Sequence, residues 1–193
     1  LLLVRNNEDC DEFIALAKTM GINIVDRVDQ RGRSDAKWFL GQGKLQDVNE
    51  ELRSTSHGHP WNDVDLLLLH TNATPRQLVG VNDAVGIEVW DRVRLLLALF
   101  TAHASSVEAR TQVRIARLQS DRTVLREVVK QQTTGERAGY GGAGRTAAGS
   151  DLTKVNRELA ALTKRQRKQV KSAAERRPQR KQQAMTVGLA GYT

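Results

Sequence analysis

The chain has 193 residues, room for one ordinary domain or two small ones, and its 39% hydrophobic and 4% aromatic content is thin for a single packed core. No apolar run is long enough to span a membrane, no charged start with an apolar centre marks a signal peptide, and the lone Cys10 excludes an intramolecular disulfide, so a cytoplasmic setting is expected. The net charge of +8 is segregated: residues 1–90 carry −5, 91–149 carry +5 and 150–193 carry +8, a split that points to a polyanion partner for the second half only.

Leu1 to Val4 is a bare apolar run that predicts a strand, its abrupt start implying residues ahead of it. Glu8 to Met20 places Phe13, Ile14, Leu16 and Ala17 at helical spacing behind an acidic first turn, and Gly21 closes the helix. Ile22 to Val28 reads as a second strand. Strand, helix and strand at this spacing predict a parallel sheet. Gln30 to Ala36 is polar and reads as a mobile loop. Trp38-Phe39-Leu40-Gly41-Gln42-Gly43-Lys44 predicts a turn into a helix over Lys44 to Arg53. Val64 to Leu69 is a buried strand, Thr74 or a neighbour caps a helix opened by Pro75, Gly86 ends that helix, and Ile87 to Trp90 is a fourth strand. The expected platform, residues 1–90, is a small open α/β sheet with flanking helices.

From Asp91 to about Gln132 one long helix is expected. Val93 to Phe100 is apolar almost all round and should pack on the platform. Farther along, Ile115, Leu118, Leu125 and Val129 make a stripe that Arg122 interrupts. A return helix carries Leu152, Val155, Leu159 and Leu162, then Gln166, Gln169 or Val170, and Ala173. Steps of three and four on both predict a long antiparallel two-helix coiled coil over 91–184. Between them, Arg137 to Ser150 holds five glycines in eleven residues, which predicts a non-helical tip. The last nine residues, Met185 to Thr193, read as the first strand of a further domain.

The return helix is the strongest functional clue. Lys164, Arg165, Arg167, Lys168, Lys171, Arg176, Arg177, Arg180 and Lys181 keep to no single face, and few acids are spaced to pair with them. A phosphate backbone is their natural partner. Without aromatic residues in this arm, base-specific reading of single strands is not expected. In the tip, Arg137 and Arg145 flank exposed backbone amides at Gly144 and its neighbours, and Tyr140 can stack on a base. Gly41-Gln42-Gly43-Lys44 is read as a structural turn, and His57-x-His59 as loop surface for want of further ligands. No grouping of residues predicts a catalytic centre, and no metal site is expected. Gly191 fits the first glycine of a phosphate-binding loop at a strand end.

In order, Trp38 to Leu45, Asp65 to His70, Gly86 to Arg92, Ala109 to Leu118, the glycine-rich tip, the basic helix and Val187 to Thr193 resemble the N-terminal region of HflX-type ribosome-associated GTPases. The resemblance covers nearly the whole chain. It implies an α/β subdomain, a two-helix coiled coil, and a GTPase domain whose phosphate loop continues from Gly191-Tyr192-Thr193, with GTP and magnesium bound by that domain. It further implies binding to the large ribosomal subunit, with the tip directed at ribosomal RNA, and GTP-dependent splitting or rescue of stalled ribosomes. In the family tip, G-x-G-T-R-G-P-G-E-T-Q, Gly144 and Arg145 find loose matches, while the Pro and the Glu-Thr-Gln have no counterparts here. Some members bind a second nucleotide near the position of Lys44. The alternatives are a non-enzymatic RNA-binding or scaffolding coiled coil, and a nucleotide-dependent RNA-remodelling enzyme acting through Lys44.

Overall fold

A period of two sorts the strands before any helix is placed. The computed structural model describes residues 1–54, 58–134 and 142–183. Strands β1 (Leu2–Arg5), β2 (Arg27–Gln30), β3 (Leu66–Leu69) and β4 (Glu88–Asp91) form one parallel sheet in the order β2-β1-β3-β4. The central strands β1 and β3 read Leu-Leu-Val-Arg and Leu-Leu-Leu-Leu, the continuous apolar runs that a strand covered on both faces requires.

Alternate side chains leave a strand on opposite faces. Leu3, Leu67 and Leu69 therefore join one core, with Leu45 and Val48 of α2 (Gln42–Ser54) and Val81 and Val85 of α3 (Pro75–Val85). Leu2, Val4 and Leu68 join the other, with Phe13 and Ala17 of α1 (Asp11–Thr19) and Leu95 of α4 (Arg92–His103). Each such buried aliphatic side chain is worth about 1.5–3 kcal/mol, so the two cores hold the platform as three layers. The parallel α/β platform is as the sequence predicts. So is the opening of α3: the Thr74 hydroxyl accepts from the Gln77 amide, the Gln77 side chain accepts from the Thr74 amide, and Pro75 follows. Gly86 closes that helix with φ of 75°.

Three expectations are corrected. The second strand is Arg27–Gln30, not Ile22 to Val28, because the register aligns Arg27 with Leu2 and leaves no described strand for 22–26 to pair with. Ile22 and Ile24 instead pack under α1. The long helix from Asp91 is broken. α4 ends at His103 and α5 (Val107–Thr133) starts afresh. Thr101 Oγ1 and His103 Nδ1 hold the carbonyls of Leu97 and Leu99, Ala104 is extended, and the Ser106 hydroxyl accepts from the Ala109 amide as a new cap. The glycine-rich stretch is helical from Gly142, where α6 (Gly142–Gln183) begins. Gly142 and Gly144 fall in its first turn, whose amides have no intrahelical partner in any case, and alanines at 143, 147 and 148 favour the helix.

The break changes where the chain goes. α4 lies against α1, and α5 doubles back beside α4 and α3. Val124 and Val128 of α5 face Leu78, Val79 and Asn82 of α3 and Val89 of β4 across a cavity of about 210 Å³. The Arg94 guanidinium ties the arrangement together, 3.5 Å from Glu88 and 3.7 Å from Asp121. Leu95 is the buried residue of α4, while Val93 and Phe100 are exposed, so its all-round apolar surface is only half used against the platform.

Candidate nucleic-acid interface

α6 is built on α5. Ile115 and Leu118 of α5 bury against Leu159, with Val155 and Leu162 alongside, the apolar steps read from the sequence. The helices run in opposite directions: Gln119 faces Asn156 and Leu159, whereas Thr111 and Gln112 face Gln166, Gln169, Val170 and Ala173. A two-pronged ion pair fixes the register, with Arg114 Nε donating to Glu158 Oε1 at 2.8 Å and Nη2 to Oε2 at 3.0 Å. Arg114 holds the Glu158 carboxyl below the usual glutamate range, and the same bond raises the guanidinium.

Beyond Leu162 the seam turns polar and the surface turns basic. Lys164, Arg165, Arg167, Lys168 and Lys171 are all exposed. No ion pair among the described residues neutralises any of them. Gly144, Arg145, Arg176 and Arg177 lie on the same helix, since α6 spans 142–183. Arg137, Tyr140 and Gly191 lie outside the described residues, as do His57 and the strand expected over 185–193. The predicted cations of the arm are thus brought onto one rod; at 1.5 Å per residue its 42 residues span about 63 Å.

Sequence reading missed Arg122 as a site residue. It lines a groove of about 580 Å³ between α5 and α6, with Lys164 and Arg167 on the opposite wall. The available signal was its place in the stripe of Ile115, Leu118, Leu125 and Val129, where a hydrophobic residue belongs.

The platform's polar residues are engaged in structure. The Arg5 guanidinium, 5% exposed at the end of β1, donates to Gln30 Oε1 and to the Arg33 carbonyl, and so anchors the loop after β2. Gln77 Nε2 donates to Ser34 Oγ and the Asp35 carbonyl, holding the same loop from the other side. Lys44 stands exposed in the first turn of α2. His59 accepts from the Trp61 amide and lies 3.5 Å from Glu51, a local contact. Asp91 caps α4: its carboxylate accepts from the amides of Arg94 and Ala73, and burial pushes its pKa up. Arg92 pairs with Glu12 at 2.7 Å rather than with Asp91. No group of three or more metal-ligating side chains, and no helix long and apolar enough to cross a membrane, occurs among the described residues.

Most of the platform and of α4 falls within one known class of domain: residues 7–101 match the family of GTP-binding GTPase N-terminal domains. The chain belongs with the N-terminal region of the HflX GTPases. It is 31% identical over 190 residues to GTPase HflX of Methanocaldococcus jannaschii, covering 97% of this chain and 44% of that protein. With GTPase HflX of Thermococcus kodakarensis it shares 27% over 184 residues, covering 94% and 40%. A crystal structure of a GTP-binding protein from Sulfolobus solfataricus in complex with GDP has the same fold, with a TM-score of 0.54 at 20% identity, covering 84% of this chain and 45% of that one. The chain spans less than half the length of these relatives.

Proposed function

We propose that this chain is the ribosome-binding region of an HflX-type GTPase that splits or rescues stalled ribosomes in the cytoplasm. In this reading the platform, residues 1–90, positions the helical segment over 91–184 with its α5–α6 pair, and residues from 185 open the GTPase domain. That domain would bind GTP and magnesium through a phosphate loop starting at Gly191. The cations of α6, together with Arg137, Tyr140, Gly144 and Arg145 of the glycine-rich stretch, dock on RNA of the large subunit.

The observation that carries the reading is the row of exposed cations from Lys164 to Lys171 without a carboxylate partner among the described residues. Charges arranged in this way gain affinity for phosphate by releasing counterions. The names of the relatives support the GTPase parent.

Sedimentation with purified large ribosomal subunits over a salt series tests it. The chain is compared with a variant in which Arg137 to Ser150 is a short neutral linker. Binding that weakens with salt and drops in the variant supports docking through the tip and arm. Equal binding by both leaves α6 as a general polyanion binder. No binding by either removes this region as the source of affinity.

A further inference from the structure

Arg122 occupies a seam position of α5, yet no hydrogen-bond partner among the described residues meets its buried Nε. Leaving a guanidinium N–H without a partner away from water is costly, and the cost is greatest for charged groups. A hydrophobic residue there would continue the stripe from Leu118 to Leu125.

The groove beside it explains what Arg122 is for. Lys164 and Arg167 line the same space, with Asn156 and Thr163 as neutral hydrogen-bonding groups. No carboxylate among the described residues lines the groove. The nearby acids are turned elsewhere, Asp121 to Arg94 and Glu158 to Arg114. Three cations therefore face one opening, with one donor unsatisfied. The chemistry that answers this is a compact anion with several acceptor oxygens. Among the described residues no aromatic side chain lines the groove to stack a base, which favours a backbone phosphate over a nucleotide.

We infer that the groove between α5 and α6 seats a phosphodiester of the RNA backbone, gripped by Arg122, Lys164 and Arg167. This rests on the RNA-binding reading and narrows it. The groove cations fix the position of the RNA, and the outward cations Arg165 and Lys168 add only general attraction.

The test uses the full 193-residue chain, ¹⁵N-labelled. The arginine Nε–H resonances are followed during separate titrations with a short RNA duplex and with inorganic phosphate. Fluorescence anisotropy then compares RNA binding by Arg122→Gln, Arg122→Leu and Arg165→Gln. The Arg122 Nε–H is expected to move with both ligands. Both Arg122 variants should weaken RNA binding about tenfold, against about two- to threefold for Arg165→Gln. Arg122→Leu should also melt higher than the wild type, which separates lost binding from lost structure. An unmoved Arg122 signal under RNA that does bind, or equal losses at Arg122 and Arg165, overturns the groove and leaves RNA binding standing. If RNA fails to bind but phosphate moves the Arg122 signal, the anion seat stands and its RNA source falls. If neither ligand moves it, both fall.

Discussion

Gly80 shows how one hydrogen atom decides a helix. It lies on α3, and a Cβ there would collide with the backbone carbonyl of Lys37 and come within 2.9 Å of the Lys37 Cγ. Gly80→Ala should therefore destabilise the platform by about 1–3 kcal/mol, although alanine is the better helix former by about 1. Gly149 on α6 has open space at the same atom, so Gly149→Ala should stabilise by about 0.5–1 kcal/mol. Urea unfolding of both variants checks the opposite signs. Asp91 adds a pH dependence. Burial raises its folded-state pKa above that of the unfolded chain, so folding favours the protonated form. Its contribution is greatest below the ordinary aspartate value and declines as pH rises through the raised one. Relative to Asp91→Asn, the wild type should thus lose stability as pH climbs from acid to neutral. A wild type that gains on the variant over that range would contradict the assignment.

Between elements, the α5–α6 contact rests on packing more than on charge. Leu159 is 7% exposed, and Leu159→Ala should cost about 2–4 kcal/mol, seen as faster amide exchange along α6 before the platform opens. The Arg114–Glu158 pair is 50% and 43% exposed, so Arg114→Ala should cost no more than about 1 kcal/mol and less in salt. The same elements show what was legible in the sequence. Thr74, Pro75 and Gly86 act locally, and the helix they bound was readable with its cap at Thr74 or a neighbour. Ile115, Leu118 and Leu159 repeat at helical steps, and so the pair of helices was readable too. The break at Ala104 was not, because its local signal, Ser106 ahead of Glu108, was set against a long run of helix-forming residues on either side. Alternation at Ile22 and Ile24 imitated a strand, because packing under α1 leaves the same period as pairing. Arg122 looked like a flaw in the stripe. Only the opposing wall, supplied by residues of the next helix far along the chain, gives it a setting.

Across the whole molecule, charge and stability are carried by different parts. The sheet and its two cores hold no part of α6, and the cations from Lys164 to Lys171 take part in no ion pair among the described residues. Changing Lys164, Arg165, Arg167, Lys168 and Lys171 together to Gln should therefore leave the urea midpoint nearly unmoved. Surface substitutions of this kind typically stay within about 0.5 kcal/mol each, and relief of like-charge repulsion acts in the stabilising direction. RNA affinity should respond in the opposite manner. Each phosphate contact contributes about 0.9 to the slope of log affinity against log salt on a duplex of B-form charge density, so removing five cations should flatten that slope by about 3–4 if most of them reach phosphate. Anisotropy over a salt series with one RNA duplex gives both slopes. A variant that keeps the wild-type slope would mean that the bound phosphates lie elsewhere on the chain. One that unfolds would mean that these side chains hold the helix against α5. A stable protein with a flattened slope is the result expected of a rod whose charge serves its partner rather than its fold.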